Sequence, residues 1–353
     1  MTASENSFLG IAKQSAKGTP ITADADFKYF LYREGSVAPN NMVIPLDMEV
    51  GGGAMPRGLV RVGVTSAGML DVIPRPHTLG IMLAGALGTT ATPTAGSGDD
   101  SDVYDHVFTL GTNQFIQPYH TLRSSPGGMW GEQFQDVKVA SLILNMQASR
   151  FVEAAYGFIG GEPKPVSTAT WAASSKIDGG PQFLTPIGAI EIPDSTAWKV
   201  TNASLMITNA IPLDDQWVIG SYFPDDFELV QRAIMLQMRV KVTDNGVLYK
   251  KMAYDLAGGA SWAANVLKEG DIDIWVKSDT PAGAASGSSP HQLTIAANGQ
   301  SGGAGNVAFS VEPIGIRAGG QVVMNVTGLF LADPTGTYEP LSITLRNSTS
   351  AQY

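Results

Sequence analysis

Alternation with a period of two runs through most of this chain. Val60, Val62 and Val64 alternate with Leu59, Arg61 and Gly63, and Met238, Val240 and Val242 alternate with Arg239 and Lys241. Val307, Phe309 and Val311 alternate with Ala308 and Ser310, and Val322, Met324 and Val326 are interleaved with Asn325 and Thr327. This patterning predicts strands with one buried and one wet face. Further strands are expected at 133–146 and 150–159, with Ala148-Ser149 as the hairpin tip, and at 272–276 and 293–295. The period changes at Leu79, Met82, Leu83, Ala86 and Leu87, whose spacing marks one stripe of a helix. Pro76 stands near its start and Gly88 supplies a left-handed stop, while Gly80 and Gly85 weaken it, so packing must hold it in place. Leu248, Met252 and Leu256 predict a second, shorter helix ended by Gly258-Gly259.

The order strand pair, short helix, polar loop, strand pair occurs twice. Laying the halves over each other places Arg57 on Arg232, Leu83 near Leu256 and Gly157-Phe158-Ile159 on Gly328-Leu329-Phe330. The expected organisation is an N-terminal arm without its own core (1–26), a first β domain (27–165), a linker (166–186) and a second β domain (187–353). Three polar stretches, 89–102, 161–186 and 278–290, are longer than ordinary connections.

Composition narrows the function. Only 15% of residues are charged and the net charge is −10, with no basic run, which argues against binding nucleic acid through phosphate contacts. Low charge on a chain of 353 residues points to a surface that faces other protein. The absence of cysteine removes disulfides and thiolate metal sites. The first ten residues lack the basic and apolar regions of a signal peptide, and no run approaches the ~18 apolar residues of a membrane span. The expectation is a soluble protein that stays where it is made.

Chemistry is sparse. His77, His106, His120 and His291 show no metal-ligand spacing, and no Gly-x-Ser-x-Gly pentapeptide is present. Asp99, Asp100, Asp102 and Asp105 form an acidic cluster without the Gly and the bidentate Glu of a calcium loop, and read as a solvated loop tip. Gly51-Gly52-Gly53 lacks the Lys and helix of a phosphate cradle. The expectation is no catalytic residue, metal or cofactor. Rival readings are a surface adhesin module and a sugar-binding β-sandwich using Trp130, Trp171, Trp198, Trp217, Trp262 or Trp275; the first lacks an anchor and the second a carboxylate pair.

The opening Gly10-Ile11-Ala12-Lys13-Gln14-Ser15-Ala16-Lys17-Gly18-Thr19-Pro20 resembles the start of tail tube proteins of long-tailed, non-contractile bacteriophages. The Gly-containing strand pair leading into Leu79–Leu87 adds to the likeness, as does Phe134 to Leu144 ahead of an apolar strand ending in Gly160. The resemblance implies a mainly β fold: two tandem sandwich or half-barrel units, each with one short flanking helix. It also implies stacked rings around a channel that conducts DNA during ejection. Trimeric rings follow if the duplication holds, with hexameric rings as the alternative. Implied partners are further copies of the chain, a tape-measure protein and a tail terminator, assembled in the host cytoplasm without a membrane. Another virion component, a terminator or decoration protein, is the nearest rival. Strand position makes Glu49, Asp71 and Asp136 candidates for the channel wall, expected to be acidic, although Arg61, Lys138, Arg239 and Lys241 also fall on wet faces. The polar loops nominate Asp99, Asp100, Asp102, Lys164, Lys176, Ser286 and His291 for contacts between rings or for the outer surface. The arm is expected to order only on assembly.

Overall fold

The computed structural model describes residues 7–47, 55–90, 92–110, 115–128, 130–167, 171, 180–192, 196–213, 216–242, 249, 268–285, 287–297, 307–312, 314, 321–332 and 339–353. The first half contributes strands β1 (Phe8–Lys13), β2 (Lys28–Phe30), β3 (Glu34–Pro45), β4 (Leu59–Val72), β5 (Thr89–Thr90), β6 (Thr94–Ala95), β7 (Tyr104–Thr109), β8 (His120–Ser125), β9 (Gly131–Gln147), β10 (Glu153–Gly160) and β11 (Pro163–Val166), and helix α1 (Pro76–Leu87). The second half contributes β12 (Leu184–Ile192), β13 (Thr196–Ala197), β14 (Val200–Ala210), β15 (Gln231–Lys241), β16 (Lys268–Gly270), β17 (Ile272–Pro281), β18 (Pro290–Ala297), β19 (Val307–Val311), β20 (Val323–Phe330) and β21 (Ser342–Asn347).

These strands make two antiparallel sheets, each drawn from both halves. The larger follows the path β16-β19-β20-β15-β14-β9-β10-β4-β3, with β1, β2, β8 and β11 attached beside it, and the smaller runs β13-β12-β17-β18-β21-β7-β5 with β6 on β7. The halves meet in the large sheet where β14 pairs with β9 from Asn202↔Gln147 to Thr208↔Ser141, and in the small sheet where β21 pairs with β7. In path order the first half reads β3-β4-β10-β9 and the second reads β14-β15-β20-β19. Each is two hairpins joined through their second strands. The overlay of the two sequences is out of phase near its end, because Phe158 points inward whereas Leu329 is exposed between the buried Gly328 and Phe330.

One core fills the space between the sheets. Leu142, Leu144, Leu205, Ile207, Leu236 and Val326 line it from the large sheet, and Ile274, Leu293, Ile295, Ile343 and Phe108 from the small one. The predicted helix is α1, which is buried along nearly its whole length and ends at Gly88, a left-handed residue (φ 96°) donating to Ala84 O. Its glycines reflect close approach. A Cβ on Gly80 would lie 2.3 Å from the Tyr353 ring, and one on Gly85 would lie 2.6 Å from Val139. The second predicted helix, Leu248 to Leu256, lies outside the described residues apart from Tyr249, which is helical.

Two expectations change. The supposed coreless arm supplies β1, which pairs with β2 and β8 and buries Leu9, Ile11 and Ala12. Arg123 reinforces it: the buried guanidinium lies 3.9 Å from the Phe27 ring centroid, pairs with Asp24 at 3.4 Å and donates to Thr22 O. Lys138, expected on a wet face, is buried. The ladder between β9 and β10 slips at Gly157/Phe158, where the partner moves from Ser141 to Val139. A bulge of one residue reverses the facing of everything beyond it. Beyond it Val139 and Val137 take the core face, and Lys138 keeps the opposite face, where the segment after β14 covers it: its ammonium donates to Phe227 O and sits 3.6 Å from Asp226, whose carboxylate also accepts from Tyr119 Oη at 2.6 Å.

Candidate assembly surfaces

Self-association uses whatever the monomer leaves unsatisfied: open strand edges and apolar surface in water. The hairpin of β3 and β4 carries both. The β4 ladder with β10 ends at Ser66, but β3 and β4 continue paired to Pro45↔Leu59, and Leu46 N–H extends the ladder to Gly58 O. Beyond the body this ribbon has no sheet neighbour among the described residues along most of its length, and its side chains are exposed on both faces. Val43 (52%), Ile44 (56%), Leu59 (69%) and Val60 (44%) stand in water, with Met42, Leu46 and Met55 beside them. A two-stranded ribbon is marginal alone; here its base is braced by the segment after β14. Val64 N–H donates to Tyr222 O, the Arg61 guanidinium lies over the Tyr222 ring, and Trp217 packs so closely over Gly63 that a Cβ there would be 2.5 Å from the indole.

Among the described residues no strand pairs with the outer edge of β3: of its twelve residues only Val37 is buried, and Pro39 and Pro45, which have no N–H to donate, suit an edge. At the other end of the path, β16 covers β19 only from Val307 to Phe309.

The wet face of the large sheet is a shallow trough lined by Asn145, Asn202, Ser204, Gln237, Asn325 and Thr327. Asp71 lies on this face, exposed, between its cross-strand neighbours Glu34 and Ala155. Asp136 does not. It adopts φ 54° and its carboxylate accepts from Gln14 Nε2 at 3.0 Å and Gly18 N at 2.7 Å, so it pins the turn after β1. Glu49 lies outside the described residues.

The long polar loops are closed on each other. Ser289 donates its N–H (2.6 Å) and hydroxyl (2.7 Å) to the Asp100 carboxylate, holding that carboxyl below its usual range. Asp102 accepts from Ala284 N at 2.7 Å, and Ser288 Oγ donates to the Asp99 carbonyl at 2.7 Å. Gly283 and Gly287 allow this approach, since a Cβ on either would fall within 2.3 Å of an aspartate oxygen. Lys164 is exposed on β11 and pairs with Glu162 at 2.9 Å. His291 is buried, edge-on to His77 at 5.7 Å. Lys176 and Ser286 lie outside the described residues. No group of three His, Cys, Asp or Glu among the described residues is placed to hold a metal, and no described helix is long and apolar enough to cross a membrane.

The family model for phage tail tube protein matches residues 4–318, the greater part of the chain. The chain belongs to the phage tail tube family. Comparison with curated proteins returns no significant match. Membership makes the chain a structural component of a virion tail, from a family that self-assembles into a tube and is generally non-enzymatic. For a tail tube subunit, the apolar hairpin is the surface the sequence reading overlooked. Its signal was present in Met42-Val43-Ile44 and Leu59-Val60, where apolar residues occupy both phases of the alternation instead of one.

Proposed function

We propose that the subunits close into rings by repeating between copies the junction that β9 and β14 make within one copy. The observation that carries this reading is the path order. The last strand of the first set, β9, pairs antiparallel with the first strand of the second, β14. The corresponding edges are β19, which β16 covers as far as Phe309, and the outer side of β3, neither having a further strand partner among the described residues. Joining β19 of one copy to β3 of the next is a heterologous contact, which generates a ring when the rotation closes. Two sets per chain make three chains the ring that supplies six sets, and tandem tube-like units spanning 27–165 and 187–353 are the organisation this favours. Hexameric rings are the alternative if the two sets are not equivalent.

The buried face of the large sheet is covered by core and small sheet, so its wet face turns to the channel through which DNA passes during ejection. The apolar hairpin projects from the ring and packs on the next ring, burying side chains that water now surrounds. Of the loops, 161–186 remains as a further candidate contact. The tape-measure and terminator proteins are the expected partners, and assembly takes place in the host cytoplasm. Electron microscopy of the purified chain, beside its mass in solution, tests the reading. Hollow filaments with trimers as the closed soluble species are expected; a monomer that never assembles, even when seeded with preformed tail tips, overturns it.

A further inference from the structure

We infer that the hairpin of β3 and β4 is received by a specific cleft on the copy in the next ring, the open end of the sandwich between β9–β14 and β12–β17. The inference rests on the reading that rings stack through this hairpin, and it names the surface on which the hairpin lands.

Strand direction puts the two features at opposite ends of one subunit. The hairpin leaves the large sheet where Ser66 of β4 faces Gly160 of β10, next to the pair Ile159 and Lys138. At the far end of the same strands Ala148-Ser149 turns β9 into β10, and Asn202 at the start of β14 stands opposite Gln147. There the two sheets part. β12 slips against β17 between Leu184↔Lys277 and Gly188↔Val276, so that four steps along β12 match one along β17. The extra length is tethered to the β9–β10 turn, with Thr185 Oγ1 at 2.7 Å from both Gln147 O and Arg150 O. What remains open is a cleft of about 260 Å³ walled by Met146, Ile190, Trp198, Ile274 and Val276. These side chains belong to the core or pack against it, so the cleft is an opening into the core itself.

Size and chemistry select the occupant. The cleft is smaller than the roughly 300–1,000 Å³ of small-molecule sites, and it suits a few aliphatic side chains. No charged side chain lines it. The hairpin offers what such a cleft lacks, since Val43, Ile44, Leu59 and Val60 stand in water. Reach is sufficient: Leu59 lies seven residues before Ser66 in the chain, about 23 Å of strand at roughly 3.3 Å per residue. A contact between unlike patches at opposite ends of one chain is heterologous, and without closure it propagates along an axis, as stacked rings require.

Because the chain contains no cysteine, introduced thiols report this contact alone. Full-length Ile44→Cys and Ala148→Cys subunits are mixed in equal amounts, assembled, and treated with a short bis-maleimide; a link joining the two variants necessarily joins two copies. The cross-linked pair is expected in tubes, at least about tenfold over the same mixture kept as free subunits. Tubes that form without this link overturn the cleft as the landing site and leave stacking through the hairpin standing. A parent chain that forms no tubes, even when seeded with preformed tail tips, removes the stacking reading and the inference with it. Where a cysteine itself blocks assembly, Ala148→Asp decides. A carboxylate buried against the hairpin should raise the subunit concentration needed for tubes about tenfold with an unchanged melting temperature, and assembly at the parent concentration overturns the inference.

Discussion

The hairpin of β3 and β4 and the paired loops 94–102 and 282–290 are both long excursions from the sheets, yet they end in opposite conditions. The loops are polar, and their carboxylates, hydroxyls and amides satisfy one another within the chain. The hairpin is apolar on both faces, and Val43, Ile44, Leu59 and Val60 have nothing described to cover them. Length alone does not mark an assembly surface. The mark is chemistry that the monomer leaves unfinished, and by that standard the loops are finished and the hairpin is not.

Charging the hairpin is the strongest way to break this contrast. Ile44→Asp with Val60→Asp should abolish tubes in electron micrographs while leaving the melting temperature of the subunit nearly unchanged; tubes of normal length from this variant would dismiss the hairpin as a contact. On the finished side, acid is the next largest lever. His120 is fully buried, and desolvation pushes its imidazole down to about 4 from 6.5. Between those values the unfolded chain binds the proton and the folded chain does not, so stability is complete above about 6.5 and falls as pH drops toward 4. The loss is on the order of 3 kcal/mol, read from urea melts, and His120→Gln should flatten that part of the profile. A variant as acid-sensitive as the parent would assign the effect elsewhere.

Tight packing beneath α1 gives a somewhat smaller effect. Gly85→Val forces a side chain against Val139 and should cost about 1–3 kcal/mol, with refolded protein retaining the same secondary structure. Smallest is the loop contact. Asp100→Asn weakens the bonds from Ser289 and should lower the melting temperature slightly, with tube formation intact. Because Ser289 depresses the Asp100 pKa, that contact is present at neutral pH and is lost as pH falls through the depressed value. Lost assembly in this variant would return the loops to the interface.

The sequence made the strands, α1 and the family resemblance legible because each rests on local signals: period-two alternation, the Leu79–Leu87 stripe ended by Gly88, and the opening Gly10–Pro20. It did not show that the halves interleave, since the pairings β9 with β14 and β7 with β21 join residues far apart in the chain. Lys138 is buried by a segment its own strand does not announce, since Phe227, whose carbonyl it donates to, lies 89 positions further along the chain. Asp136 looked like a wall residue by strand position, but its positive φ sits where the ladder of β9 with β8 slips, and its carboxylate is taken up by Gln14 and Gly18 in the turn after β1. The polar loops looked available because their mutual partners are nearly two hundred residues apart, at 189 positions for Asp100 and Ser289.

The central claim is that β19 of one copy pairs with β3 of the next as β14 pairs with β9 within a copy. A helical reconstruction of assembled tubes by electron cryomicroscopy tests it directly. The account predicts a continuous barrel of strands, three chains per ring, with backbone ladders bridging β19 and β3 at every chain boundary. Rings in which β3 stays unpaired, or in which chains meet through the small sheet, would contradict it.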